Sequence, residues 1–170
     1  MERQCFSDPL DLITANRLDI AFRLAYLKYR ELNLSLAESY YYEVIKIQSF
    51  NKFTDPDNEN RSNFLEYLND FEKLIESINK KGFNSSISTI PLADDGSILN
   101  GAHRVAIALF LNKKAFVTQK KISQVDCSVK YLTRFGMPNF LMESAVVDLL
   151  SCSDKFRVVV LWPSSGLLSL

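Results

Sequence analysis

Apolar positions recur at helical spacing along the first half of the chain, and strand-like runs come only after it. Leu18, Phe22, Ala25 and Tyr29 follow the three-to-four-residue step of a helix, while Arg17, Arg23, Lys28 and Arg30 fall elsewhere around its axis. Asp8-Pro9 opens this helix, with Asp8 as cap, Pro9 at the first position and Asp11 at the positive end of the dipole. The arginines read as a solvated face, with a basic stripe (Arg17, Arg23, Arg30) as the alternative. Asn33 marks a break. Ser35 to Glu38 then reads as a capping box for a second helix carried by Ala37, Tyr41, Val44, Ile45 and Gln48. In Tyr40-Tyr41-Tyr42, helical spacing turns one or two rings to the core. After the polar loop 51–63, Leu65, Leu68, Phe71, Ile75 and Ile78 mark one face of a third helix, ended by Gly82.

The texture then changes. Ile87 to Leu92 predicts a strand, Asp94-Asp95-Gly96 a tight turn, and Ser97-Ile98-Leu99 a short returning strand. Asn100-Gly101 breaks that strand, and Val105 to Leu111 begins an apolar helix with Lys113-Lys114 at its negative end. Ala115 to Thr118 predicts another strand, 120–130 stays open, Pro138 starts a helix through Leu150, and Phe156 to Trp162 reads as a buried strand. This order predicts an α+β fold, with a small mixed sheet and packed helices in a domain 64–170 and a helical N-terminal extension over 1–50.

The 170 residues hold 47% apolar and 24% charged side chains, with Lys+Arg and Asp+Glu at 20 each. No global field attracts nucleic acid, so any anion site must be local. The apolar runs are too short to span a bilayer. Met1 to Cys5 lacks the character of a signal peptide, so a cytoplasmic setting is expected. Cys5, Cys127 and Cys152 are widely spaced and His103 is the single histidine, which argues against a His/Cys zinc site.

Most chemistry lies in Asn100-Gly101-Ala102-His103-Arg104. A strand ending in a glycine turn that feeds a helix leaves backbone N–H groups unpaired beside the positive dipole end, which together form an anion site. Gly101 permits close approach and positive φ, Arg104 supplies a planar fork for phosphate oxygens, and His103 a donor or proton carrier. The alternative is a plain loop, with His103 stacked under the sheet and Arg104 paired to Asp94 or Asp95.

The stretch from Leu74 to Phe116 resembles the ParB/sulfiredoxin superfamily. The shared order is a helix with Leu74 to Ile78, then Gly82, strand 87–92, Asp95-Gly96, Ile98-Leu99, the turn Gly101 to Arg104 and the helix from Val105. Sulfiredoxins carry Gly-Cys-His-Arg in that turn, and Ala102 stands in place of the nucleophilic cysteine, which rules out that chemistry here. Chromosome-partitioning ParB proteins carry Glu-Arg-Arg and a helix-turn-helix module not evident in this sequence. The turn is most similar to the Asp-Gly-His-His-Arg of ParB-like free serine kinases, with Asn100 departing from the aspartate. Leu18-Asp19, residues 26–29, the turn and Arg157 to Pro163 also look like ParB-like proteins of bacterial surface-polysaccharide clusters, where the Trp-Pro strand often leads into more sequence.

The resemblance implies ATP or ADP with Mg²⁺, held at the turn, and phosphotransfer to a small hydroxyl-bearing molecule or sugar. His103 and Glu59 are then the catalytic candidates, Glu59 as base or else a solvated loop residue. By their carboxylates Asp94 and Asp95, with Glu59, are candidate Mg²⁺ ligands, or Asp94 and Asp95 serve the tight turn alone. A non-catalytic nucleotide sensor and a nucleic-acid-associated ParB-like protein are the alternatives. Pro163 to Gly166 is a weaker candidate phosphate loop. Because all three cysteines lie outside the turn, a cysteine-free variant that stays folded is expected to keep its ligand binding. Calorimetry on that variant checks this, and complete loss of binding in a folded protein overturns it.

Overall fold

From Asp19 to Leu27 every residue is buried, which makes this helix the hub of the molecule. A helix that meets protein on all sides cannot present a solvated face. The amphipathic expectation therefore fails here, and Arg23 lies inside the fold together with Arg17 just before the helix. In the computed structural model, residues 4–55, 61–83, 89–120 and 125–153 are described. They form an α+β arrangement of six α-helices and one three-stranded mixed sheet.

The elements are β1 (Gln4–Ser7), a 3₁₀ turn (Pro9–Leu12), α1 (Asp19–Tyr29), α2 (Leu34–Gln48), α3 (Phe64–Lys81), β2 (Ile90–Leu92), α4 (Ala102–Phe110), β3 (Ala115–Gln119), α5 (Val129–Arg134) and α6 (Asn139–Leu150). Sheet order is β1-β3-β2. β1 runs antiparallel to β3 with Gln4 opposite Thr118, and β2 runs parallel to β3 with Ile90 opposite Val117. The parallel pair needs a crossover, and α4 supplies it. α1 packs against α2, α4 and α6, so residues 4–50 share one core with the later elements and contribute a sheet strand.

Several local expectations hold. Gly82 ends α3 at φ 72°. Gly96 closes the Asp94-Asp95-Gly96 turn at φ 83°, and Ile98 returns to bridge Leu92. Tyr40 and Tyr41 face the core while Tyr42 is exposed. Others are corrected. Asp8 does cap, accepting from the Leu10 amide, but what it opens is a 3₁₀ turn that stops at Leu12, and α1 begins separately. The cap of α2 is Asn33, whose Oδ1 accepts the Leu36 amide at 3.1 Å, so Ser35 and Glu38 do not form the capping box. The box sits on α3 instead, where Asn63 and Glu66 satisfy each other's backbone amides. Leu65 is exposed rather than in the apolar face. β1 and α5 were not expected. The strand 156–162, Ile87, Glu59 and the loop 163–166 lie outside the described residues. Among the described residues no helix is long and apolar enough to cross a membrane.

Because α1 is the hub, truncating its fully buried Leu24 is expected to cost about 2–5 kcal/mol. At about 2–4 °C per kcal/mol for a chain of this size, thermal unfolding of Leu24→Ala should fall by roughly 10 °C. A change within error would mean that α1 is peripheral.

Candidate functional site

α4 starts without a side-chain cap: its N-cap is Gly101, at φ 105° and ψ 20°. Helices α2, α3 and α5 are each capped by an Asn or Ser side chain. The first-turn amides of α4 are thus open where the dipole is positive. Glycine is required here twice over, by its left-handed φ and by space. A Cβ would lie 3.2 Å from Arg104 Nε and 3.3 Å from an Ile90 side-chain carbon. The Arg104 guanidinium folds back over Gly101, where its Nη1 donates to the Thr89 carbonyl at 2.5 Å. No carboxylate pairs with it among the described residues, and burial lowers its pKa. The alternative in which Arg104 pairs with Asp94 or Asp95 is not what the fold builds.

This turn forms one wall of a cavity of about 530 Å³, within the range of small-molecule sites. Asn100 to Arg104 all line it, as expected. The opposing walls were not anticipated: Arg17, Asp19 and Arg23 from the α1 region, Gln48 at the end of α2, and Asp55 and Arg61 from the loop before α3. Four guanidiniums therefore face the space against two carboxylates.

Asp19 is fully buried and accepts a fork from Arg17, Nε to Oδ1 at 2.9 Å and Nη2 to Oδ2 at 2.8 Å. Arg23 Nη1 reaches Oδ2 at 3.3 Å and the Asp19 carbonyl at 2.9 Å, and Gln48 Nε2 reaches Oδ2 at 3.1 Å. Burial alone would raise the Asp19 pKa, but the bonds and charge of Arg17, then Arg23 and Gln48, outweigh it and hold the carboxyl below its usual value. Arg23 Nη2 donates to Gln48 Oε1 at 2.7 Å, yet its Nε is buried without a partner. Arg61 lies over the Tyr67 ring, 4.8 Å from the centroid, and joins Asp55 at 2.5 Å and Asp70 at 3.0 Å.

His103 is partly buried, with its ring edge-on to Tyr41 and Phe71. Its Nε2 lies 2.8 Å from the Tyr41 hydroxyl, which also reaches the Tyr67 carbonyl at 3.2 Å. The direction of the bond between Nε2 and the hydroxyl follows the imidazole tautomer, and Nδ1 is the ring nitrogen left for a further bond. Burial, then the charges of Arg23, Arg61, Arg104 and Arg17, hold the imidazole pKa well below 6.5. His103 is thus a neutral group in a cationic cavity.

Asp94 and Asp95 are exposed and do not line the cavity. Asp95 Oδ1 accepts the Ser97 amide at 3.0 Å and hydroxyl at 2.6 Å, and these bonds lower its pKa. Among the described residues no cluster of three or more His, Cys, Asp and Glu side chains is arranged to hold a metal ion. Cys127 is buried beneath the arginine wall, its Sγ accepting from Gln48 at 3.3 Å, and burial and then the Asp19 charge keep it a thiol.

The run Leu18 to Leu27 did carry a signal for the missed wall. It is apolar all round except for Asp19 and Arg23, and charges inside such a run must pair. Comparison with family models, with curated proteins and with solved structures finds no match.

The pH prediction follows from His103. Its folded pKa is depressed, so below about 6.5 the unfolded state takes up a proton that the folded state refuses. Stability is expected to fall as pH drops from 6.5 toward the folded pKa. The single imidazole allows a direct reading by NMR: its ring signal should titrate below 6.5, and a midpoint at or above that value contradicts the neutral assignment.

Proposed function

We propose that this chain binds a phosphorylated small molecule, ATP or ADP in the preferred reading, with a phosphate at the Gly101–Arg104 turn. One observation carries the reading: an uncapped helix start and a folded-back guanidinium with no carboxylate partner among the described residues open onto one cavity. Uncapped amides and a planar fork are complementary to tetrahedral oxyanions. The order Gly82, strand, Asp-Gly turn, bridging residue, Gly-Ala-His-Arg turn and apolar helix is kept in the fold, which supports the ParB/sulfiredoxin-like assignment.

The proposed reaction is phosphotransfer to a small hydroxyl compound or sugar, as in a kinase of surface-glycan synthesis. Amides and guanidiniums would stabilise the moving phosphoryl group. Neutral His103 would hydrogen-bond through Nδ1, and Glu59 would accept the hydroxyl proton. A specific observation favours a second reading, a nucleotide-sensing module. Both carboxylates that line the cavity, Asp19 and Asp55, are already engaged by arginines and are poorly placed to act as bases. Enclosure of Arg17 and Arg23 disfavours a nucleic-acid role, since neither is presented to a duplex.

Calorimetry with ATP and ADP, with and without Mg²⁺, tests the binding, and phosphate transfer to a panel of hydroxyl acceptors separates kinase from sensor. Arg104→Lys is expected to weaken nucleotide binding about ten- to a hundredfold, because a charged hydrogen bond contributes roughly 1.5–3 kcal/mol and an ammonium cannot reproduce the fork. No binding under any condition ends this reading. Equal affinity in an equally stable Arg104→Lys protein moves the site away from the turn.

A further inference from the structure

The second wall of the cavity has a feature that the turn does not explain. Arg17 is 4% exposed and uses every face of its guanidinium. Nε and Nη2 hold Asp19, while Nη1 donates to the Ile98 carbonyl at 2.5 Å, across 81 positions of sequence. Ile98 is two residues before Asn100 and anchors the short return that delivers the chain into Gly101. Beyond the packing of α4 on α1, the root of the turn is therefore tied to the α1 region by this side chain, whose orientation is set by Asp19. The same carboxylate holds Arg23, which is 3% exposed, lines the cavity and keeps a buried Nε without a partner.

We propose that Asp19 is a positioning residue of the anion site, fixing Arg17 against the root of the Gly101–Arg104 turn and Arg23 in the facing wall. This rests on the reading of that turn as a phosphate grip. It makes a counter-intuitive demand, because Asp19 is itself negative. If it merely added charge to the cavity, its removal would leave a more positive wall and tighten anion binding. As a positioning group its removal must weaken binding, because Arg17 is released from the Ile98 carbonyl and the turn loses its register with the facing wall. The two roles predict opposite signs.

Asp19→Asn keeps the shape of the side chain but offers one acceptor oxygen, too few for the Arg17 fork together with Arg23 and Gln48. Arg17→Lys is the second variant. It preserves the charge of the cavity and cannot bond Asp19 twice while reaching Ile98. ATP and pyrophosphate are titrated by calorimetry into the wild type and both variants, with thermal unfolding in parallel. Affinity for both probes is expected to fall together by on the order of ten- to a hundredfold, the usual effect of a displaced grip. Tightened or unchanged binding by a folded Asp19→Asn overturns the proposal. Should that variant not fold, wild-type affinity in Arg17→Lys overturns it equally. A wild type that binds neither probe removes the phosphate reading itself, and the positioning role with it.

Discussion

Asp19 has no exposed surface, yet it receives hydrogen bonds from Arg17, Arg23 and Gln48, which come from the segment before α1, from α1 and from the end of α2. A carboxylate in that position is tolerable only when the whole set is present, since an isolated buried charge costs several kcal/mol. The set is completed by Ile98, whose carbonyl takes the remaining arm of Arg17. One ionic cluster thus links the central helix to the return strand and builds one wall of the cavity. An apolar cluster of equal volume could have packed α1 at no lower stability. What it could not do is keep guanidiniums facing a cavity.

The turn itself departs from what stability alone would favour. α2, α3 and α5 end their exposed amides on Asn or Ser, while α1, α4 and α6 have no side-chain cap, and of these α4 starts on a glycine. Gly101 gives up a side chain, Arg104 has only a carbonyl for its guanidinium among the described residues, and Arg23 buries an unsatisfied N–H. All three adjoin the same space, whereas the other buried polar atoms without a partner, Thr14 Oγ1, Arg30 Nε and Asp148 Oδ2, belong to residues that do not line it. Such concentrations of unmet demand mark functional sites more often than accidents of packing.

Local signals in the sequence proved readable where the chemistry was local. Asp95-Gly96 turns on the φ of its glycine and the Asp95 carboxylate bonded to Ser97, Gly82 ends a helix at its own φ, and Asn100-Gly101 before an apolar run announces an open helix start. Legibility failed where a residue's state is decided far away. Arginines at 17 and 23 look solvated until α1 is seen to be enclosed by α2, α4 and α6. Gln4 to Ser7 has no strong strand character and is a strand only because β3 pairs with it. Asn33 outcompetes Ser35 as cap because it also closes the end of the preceding helical segment, its amide bonding the Tyr29 carbonyl at 2.7 Å. Asp94 and Asp95 belong to the locally readable set as turn formers, and Asp95 bonds its carboxylate to Ser97 within that turn.

The bridge between Arg17 and Cys127 has a consequence for synthesis of the protein. Backbone bonds from Leu18 to Cys127 and from Cys127 to Asn16 join positions more than a hundred residues apart, and β1 waits equally long for β3. Contacts of such separation form late, since the loop they close must be ordered first. On a ribosome adding residues from the N-terminus, Asp19 therefore meets Arg17, Arg23 and Gln48 early, while Lys28 waits for Asp148 and the backbone of Asn16 and Leu18 for Cys127. The wall built on Asp19 is complete in sequence before the turn at Gly101 exists, and the cavity closes only when that later segment arrives.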